Sequence, residues 1–390
     1  MKILMVEPTG HNSHFHYVRA LFDRLTATGC DIRVLTSSTF NHPGYLNRLY
    51  CMGESPRFHW PLLGGILRKI DRLIKISTNY FRIVNTIRTM NIQIVHFQVL
   101  HFLFLPLVWL AKKKLHFQIV YTPHNIEAHY RKKWFLNNLN ALFFKCCGRA
   151  IDAFVAHTPY HANKLEAKGV GQDKITIIPY APHMVRDKDP SLRQPRTILF
   201  AGSIRRNKGI LQFLEALGKL DRLLGQDRQD PVTVIIAGQS RDILITDTID
   251  ALAQERGNLT IEFHNNFIPP DEYSIFFNRA RILVLPYTRE FQSLSAVLLD
   301  GYHYDNEIIV TDAGANGETV KADNTGVVVA TGDVEALAEE IHQLLRREPD
   351  PIHSQNRARA LRDIYNWDII ASQTLAFYEQ RLVSASDKKQ

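Results

Sequence analysis

Short runs of branched apolar residues recur along the chain, each followed by a stretch whose apolar positions fall every three or four residues. In the first half the runs are KILMV (2–6), DIRVLT (31–36), IQIVH (92–96), FQIVYT (117–122), DAFVA (152–156) and ITII (175–178). In the second half they are TILFA (197–201), VTVIIA (232–237), LTIEF (259–263), RILVL (281–285), EIIVT (307–311) and GVVV (326–329). These runs are apolar throughout rather than alternating, the pattern of parallel strands covered on both faces. Between them lie amphipathic stretches, such as the stripe of Val334, Leu337, Ile341, Leu344 and Leu345, spaced for one face of a helix. Six strand–helix units followed by six more predict two doubly wound α/β domains, since a barrel would use eight.

The segment APHMVRDKDPSLRQP (181–195) has three prolines, mixed charge and no periodicity, so it reads as a linker. The expected division is a first domain over 1–185 and a second over 196–365. A last amphipathic helix over 366–385, with Trp367, Ile370, Leu375, Phe377 and Tyr378, is expected to pack back on the first domain. The length of 390 residues suits two cores. Open sheets of this kind bind ligands at the carboxyl ends of their strands, so two such domains are expected to face one another across a cleft holding the site.

Composition adds little until charge is divided along the chain. Hydrophobic residues at 45% with 22% charged are ordinary for a globular protein. The formal charge of +8 conceals an asymmetry: residues 1–190 carry 25 Lys+Arg against 11 Asp+Glu, and the remainder 22 against 28. A basic half of that strength suits an anionic partner, either nucleic acid or a lipid surface. Two segments favour lipid. Residues 64–89 set Arg68, Lys69, Arg72, Lys75, Arg82 and Arg88 among apolar residues at helical spacing. Residues 131–149 set Trp134, Phe135, Leu139, Phe143 and Phe144 beside Arg131, Lys132, Lys133, Lys145 and Arg149. Basic heads on a bulky apolar face suit insertion into an anionic leaflet; the plainer alternative is a core-facing helix with solvated lysines. Nucleic acid would account for the basic half but not for the chemistry of the acidic one.

Four cysteines (Cys30, Cys51, Cys146, Cys147), none in CxxC spacing, suit a reducing compartment. The opening MKILMVEPTG has no signal-peptide pattern, and the longest apolar stretch, Phe97–Ala111, is interrupted by His101 and falls short of the ~20 residues that span a bilayer. The expectation is a cytoplasmic protein, peripheral on the inner face of a membrane.

The chemistry lies just after the predicted strands. TILFAGSIRRNKGILQFLEAL (197–217) is a strand, a turn at Gly202, and a loop carrying Arg205 and Lys208 before a helix. Cations beside unpaired helix N–H groups suit a pyrophosphate, although a solvated basic loop has the same composition. In the first half, His124 directly follows a strand in VYTPHNIEAHY, and His96 does so in IQIVHFQ. His11, Asn12, His14 and His16 lie in and after the first strand-to-helix turn, with Gly10. Three histidines there invite a metal, but the spacing places no fourth ligand and thiolates are absent, so no metal is expected.

The spacing Gly202-Ser-Ile-Arg205-Arg-Asn-Lys208-Gly209 resembles the phosphate loop of retaining glycosyltransferases of family 4, which have the GT-B fold of two Rossmann-like domains. VIIAG (234–238), FIPPDEYSIFFNRARILVLPY (267–287) and EIIVTDAGANGETVKADNTGVVV (307–329) resemble further segments of that family in its order, so the likeness spans nearly the whole chain. The resemblance implies transfer of a sugar from a nucleotide-sugar, UDP- or GDP-linked, to a glycan or lipid-linked acceptor, without cofactor or metal. It implies roles for Arg205 and Lys208 on the diphosphate and for His124 near the reacting sugar. Donor contacts would come from Gly10, Gly202, Asn266, Phe267, Ile268, Gln292, Ser293, Leu294, Ser295 and Asp300. His11, Asn12, His96 and His129 would stand on the acceptor side.

The chain departs from that family at its Glu-x7-Glu donor signature, where Gln292 and Asp300 occupy the two positions, and Tyr302 and His303 stand in place of small residues. This opens a second reading, a catalytically degenerate subunit that binds or scaffolds. A third, a sugar-nucleotide epimerase, would need a carboxylate facing the sugar, for which Glu7 and Glu127 are the acids near strand ends of the first half.

Overall fold

The computed structural model describes residues 1–10, 13–37, 42–50, 64–100, 105–124, 150–182, 185–225, 231–240, 243, 245, 249 and 257–387. Among these, the chain divides into two compact units. The first takes the described residues up to His124, those from Ala150 to Tyr180, and Trp367 onward; the second takes Ala181–Asn366.

The first unit is built on a parallel sheet. In chain order its elements are β1 (Lys2–Glu7), α1 (Ser13–Ala27), β2 (Asp31–Thr36), β3 (Tyr45–Asn47), α2 (Gly64–Met90), β4 (Ile94–Phe97), α3 (Leu105–Leu115), β5 (Gln118–Tyr121), β6 (Ala153–Ala156), α4 (Pro159–Ala167) and β7 (Ile175–Ile177). The spatial order is β3-β2-β1-β4-β5-β6-β7. Each apolar run of the sequence becomes a strand, and only β3 was not expected. Buried residues on both faces, Leu4, Val6 and Val95 on one and Ile3, Met5 and Ile94 on the other, explain why the runs do not alternate. Helix α2 buries Ile76, Tyr80, Ile83 and Ile87 in this core; each such side chain contributes roughly 1.5–3 kcal/mol.

The second unit repeats the plan with β8 (Gln194–Ala201), α5 (Ile210–Leu224), β9 (Val232–Ala237), β10 (Leu259–His264), α6 (Pro270–Arg279), β11 (Ala280–Leu285), α7 (Ala296–Tyr304), β12 (Glu307–Thr311), α8 (Gly314–Asp323), β13 (Gly326–Val329), α9 (Val334–Arg346) and α10 (Pro351–Asp363). Its parallel sheet has the order β10-β9-β8-β11-β12-β13. Phe213, Leu217 and Leu220 of α5 and Leu337, Ile341 and Leu344 of α9 share one core with Phe200, Val234 and Ile236. Phe200 and Phe213 stack with ring centroids 5.4 Å apart.

The closing helix α11 (Trp367–Asp387) belongs to the first unit and packs on α1. Tyr17 and Trp367 bring their rings to 5.7 Å, and Arg24 pairs with Asp368 at 3.1 Å.

In each sheet the chain works outward from the first strand and then returns to the other side of it. The reversal lies between β1 and β4 in one sheet and between β8 and β11 in the other. The loops that leave those strands diverge and open a crevice at their carboxyl ends.

Candidate functional site

At the reversal of the second sheet, the chain leaves β8 and turns at Gly202 (φ 94°), then passes through Arg205 into a short 3-10 turn, Arg206–Lys208. It enters α5 from Gly209 (φ 71°). Packing here admits no side chain. A Cβ on Gly209 would stand 1.8 Å from the Pro286 carbonyl oxygen, and one on Gly238, after β9, would stand 2.0 Å from that of Gly202. This crowding brings the Lys208 ammonium over the turn. The Cβ position of Gly202 lies 3.1 Å from Lys208 Nζ and 3.1 Å from Val297 Cγ2 at the start of α7. The ammonium also lies 5.2 Å from the centre of the Tyr287 ring.

Asp300 sits one turn along α7 from Val297, 2% exposed. Its Oδ2 accepts the Tyr273 hydroxyl at 3.0 Å, and its Oδ1 has no hydrogen-bond partner. Burial pushes its pKa up to about 7, while the Tyr273 bond and the Lys208 charge hold it lower than burial alone would. Two further buried polar atoms at this edge of the sheet lack partners: Arg205 Nε after β8 and Asn316 Nδ2 in α8. Buried polar atoms are nearly always hydrogen-bonded, so three left open at one edge are groups that a ligand could satisfy. Neither α5 nor α7 has a side-chain N-cap, which leaves their first-turn N–H groups available as well.

The loop between β11 and α7 is held from within. Tyr287 and Ser295 join hydroxyls at 3.0 Å, Thr311 Oγ1 donates to the Tyr287 carbonyl at 2.6 Å, and Ser295 N donates to Asn316 Oδ1 at 2.8 Å. Ser293 and Leu294 are buried, and Ala315 N donates to the Ser293 carbonyl at 3.2 Å. Gln292 turns its amide back onto the Arg289 carbonyl at 2.6 Å. Between β10 and α6, Asn266 and Phe267 are exposed, whereas Ile268 is buried.

At the reversal of the first sheet, Glu7 ends β1 fully buried. Its Oε2 accepts Gly10 N at 2.8 Å and Thr36 Oγ1 at 3.3 Å, and its Oε1 accepts Thr9 N at 2.9 Å and the Thr9 hydroxyl. The carboxylate shapes its own turn, in which Gly10 takes φ 76°, and does not face outward as an epimerase base would need. Beside it, histidines gather. His124, after β5, stacks on His14 with centroids 4.2 Å apart. Its Nε2 lies 2.8 Å from the Gln98 carboxamide, and its Nδ1 lies 3.3 Å from His157 Nε2. His157, after β6, brings its Nδ1 to 2.9 Å from the Ile178 carbonyl. Burial and neighbouring rings hold His124 well below its ordinary range, and burial holds His157 at about 4. Both rings are neutral at pH 7.

His96 requires a correction. It was expected on the acceptor side, but it is 1% exposed. Its Nδ1 meets the Tyr378 hydroxyl and its Nε2 the Thr122 hydroxyl, each at 2.6 Å. It ties α11 to the sheet, and burial lowers its pKa to about 3. His11, Asn12 and His129 lie outside the described residues, as does Glu127. Among the described residues, no group of three or more His, Cys, Asp or Glu is arranged to hold a metal ion.

Residues 185–361 match the family model described as glycosyl transferases group 1, and residues 16–181 match that of Glycosyltransferase Family 4. Each half of the chain thus matches a glycosyltransferase family model. Glycogen synthase from Mycobacterium tuberculosis (strain CDC 1551 / Oshkosh) is 28% identical over 196 residues, which are 48% of this chain and 44% of that protein, so the chain spans less than half of that relative. Among solved structures, sucrose-phosphate synthase (tll1590) from Thermosynechococcus elongatus superposes with a TM-score of 0.67 at 17% identity, over 98% of this chain and 100% of that one. Anabaena Alr3699/HepE in complex with UDP and glucose gives 0.66 at 13% identity, over 97% and 100%. The fold is GT-B, with two parallel-sheet Rossmann-like domains.

Three residues around these sites escaped the reading of the sequence. Tyr273 holds Asp300, Asn316 holds the loop before α7, and His157 holds His124. His157 had a visible signal, since in DAFVAHTP it follows a strand as directly as His124 does. Asn316 stands between small residues in GANG, where nothing local distinguishes it.

Proposed function

We propose that the protein transfers a sugar from a UDP- or GDP-sugar to a hydroxyl of a glycan or lipid-linked acceptor, with retention at the anomeric carbon and without a metal ion. The observation that carries this reading is the set at the carboxyl end of the second sheet: Lys208 over the Gly202 turn, Arg205 beside it, and Asp300 with one oxygen open. Breaking the anomeric C–O bond leaves negative charge on a diphosphate. Two cations near uncapped helix ends stabilise that charge more in the transition state than before it. Asp300 would take ribose hydroxyls, the chain at Asn266–Ile268 the base, and the loop from Gln292 to Ser295 the sugar and phosphate. The acceptor oxygen forms the new bond on the face that the phosphate leaves, and the departing phosphate oxygen takes the acceptor's proton. A solved neighbour in complex with UDP and glucose supports this choice of donor.

The acceptor reading has support from α2. Besides its buried stripe, this helix leaves Ile70, Leu73, Ile74 and Phe81 exposed, the last at 63%. Trp109 and Leu110 of the neighbouring α3 are exposed too, with Lys113 Nζ 3.7 Å from the centre of the Trp109 ring. Apolar groups facing water, with cations among them and a strongly basic half behind them, suit an anionic membrane surface. The segment 131–149, read the same way in the sequence, lies outside the described residues. No described helix is long and apolar enough to cross a membrane.

Thermal shift against UDP-, GDP-, ADP-, TDP- and CMP-sugars tests the donor reading. Stabilisation by one class, lost in Arg205→Ala and Lys208→Ala, supports it. No shift with any of them would favour the binding-subunit reading instead, with Gln292 and Asp300 as the responsible departures.

A further inference from the structure

The carbonyl of Ile178 can only accept a hydrogen bond, so the His157 Nδ1 that lies 2.9 Å from it must carry a proton. A neutral His157 then has a lone pair on Nε2. That nitrogen faces His124 Nδ1 at 3.3 Å, so His124 must donate from Nδ1. His124 Nε2 is in turn left with a lone pair, 2.8 Å from the Gln98 carboxamide. A lone pair needs a donor, so the Gln98 amide presents its NH2 to His124 and its oxygen the other way. Amide orientation is assigned by such a network rather than seen. In the opposite orientation, the buried Gln98 Nε2 has no partner at all. All three bonds therefore run in one direction, from Gln98 through His124 and His157 to the Ile178 carbonyl.

We propose that His157 is a positioning residue that fixes His124 in its Nδ1–H tautomer and makes His124 Nε2 an acceptor. That lone pair holds the Gln98 NH2 in the absence of substrate, so a sugar hydroxyl reaches it by displacing the amide, whereas a phosphate or carboxylate oxygen has no proton to give it. That last step rests on the proposed function, whereas the tautomer does not. His161, Tyr17 and Tyr180 surround the pair without altering the logic: the Tyr17 and Tyr180 rings meet His157 edge-on at 5.2 and 5.1 Å.

The test is nitrogen-15 NMR on the unmodified protein without substrate. The expected spectrum shows His124 protonated at Nδ1, with scalar couplings across two N–H···N bonds: Gln98 Nε2 to His124 Nε2, and His124 Nδ1 to His157 Nε2. A His124 protonated at Nε2 would overturn the proposal even if the protein transfers sugars. In His157→Phe, His124 should move to the Nε2–H tautomer, and retention of the Nδ1–H form would remove His157 from the positioning role. If that variant does not fold, the couplings in the unmodified protein still decide. With an active donor and acceptor pair, His157→Phe should lower kcat by about 10-fold or more while the donor KM changes less than about 2-fold. The reverse split would overturn the assignment of His124 to a hydroxyl at the reacting sugar. Absence of transfer by the unmodified protein would count against the proposed function and leave the spectrum to judge the tautomer.

Discussion

Tyr273 donates its hydroxyl to one oxygen of Asp300 at 3.0 Å, and the other oxygen of that buried carboxyl has no partner. The bond crosses from α6 to α7, so it links the two helices that flank β11 beside Lys208. An unfilled buried acceptor costs stability that a ligand hydroxyl would restore.

Asp300→Asn should therefore stabilise the second unit in a pH-dependent way. With a folded pKa of about 7, the native state keeps a proton that the unfolded chain loses from about pH 4 upward. Stability contributed by the wild-type carboxyl falls as pH rises through that window and is flat above it. The gain from the substitution should be small at pH 4.5 and about 4 kcal/mol at pH 8. Denaturation at the two pH values measures it, and an equal gain at both would mean that Asp300 does not titrate there.

Gly209→Ala should destabilise by about 3 kcal/mol or more, because its Cβ would sit 1.8 Å from the Pro286 oxygen at φ 71°. Gly29→Ala separates backbone strain from collision. Gly29 has φ 81° with nothing within 4 Å of its Cβ position, so that substitution should cost only about 1–2 kcal/mol. Urea unfolding of the two variants gives the comparison.

The first unit should lose stability in acid. His96 and His157 have folded pKa values of about 3 and about 4, so between pH 6.5 and 4 the unfolded chain binds protons that the native state refuses. Each ring should cost about 1.4 kcal/mol per pH unit across that window, and His157→Phe should remove one share of the slope. Tryptophan fluorescence reads this unit, since Trp60, Trp109, Trp134 and Trp367 leave residues 181–366 without a tryptophan.

Changing Leu73, Ile74 and Phe81 together to Ser should leave unfolding of the protein within about 0.5 kcal/mol per site, as expected of exposed positions. The same change should reduce flotation with vesicles containing anionic lipid. Flotation that is unchanged by it, or indifferent to lipid charge, would defeat the membrane reading.

Most of the framework was legible because burial on both faces writes a continuous apolar run: DIRVLT, VTVIIA, EIIVT and GVVV coincide with β2, β9, β12 and β13. β3 escaped because Tyr45–Asn47 is too short to show a pattern. The site was legible to the extent that chemistry follows strand ends. Arg205, Lys208 and His124 could be named from position alone, but side-chain direction could not. His96 lies within β4 whereas His124 follows β5, and Tyr378, 282 residues further along, takes up the His96 ring in the core. Gln292 likewise occupies a position read as donor-facing, while its amide is bonded to its own loop. Such choices are made by tertiary partners, which local sequence does not record.

The place of α11 bears on how the protein is made. Because Trp367 and Tyr378 complete the first unit, a unit begun before residues 181–366 is finished only after them. Residues 181–366 can close their own sheet while the earlier one still lacks the helix that covers α1 and the hydroxyl that satisfies His96. A nascent chain thus holds an open apolar seam for the whole time its second unit is being synthesised. During that interval, and not in the native state, the first unit is most exposed to proteases and to aggregation.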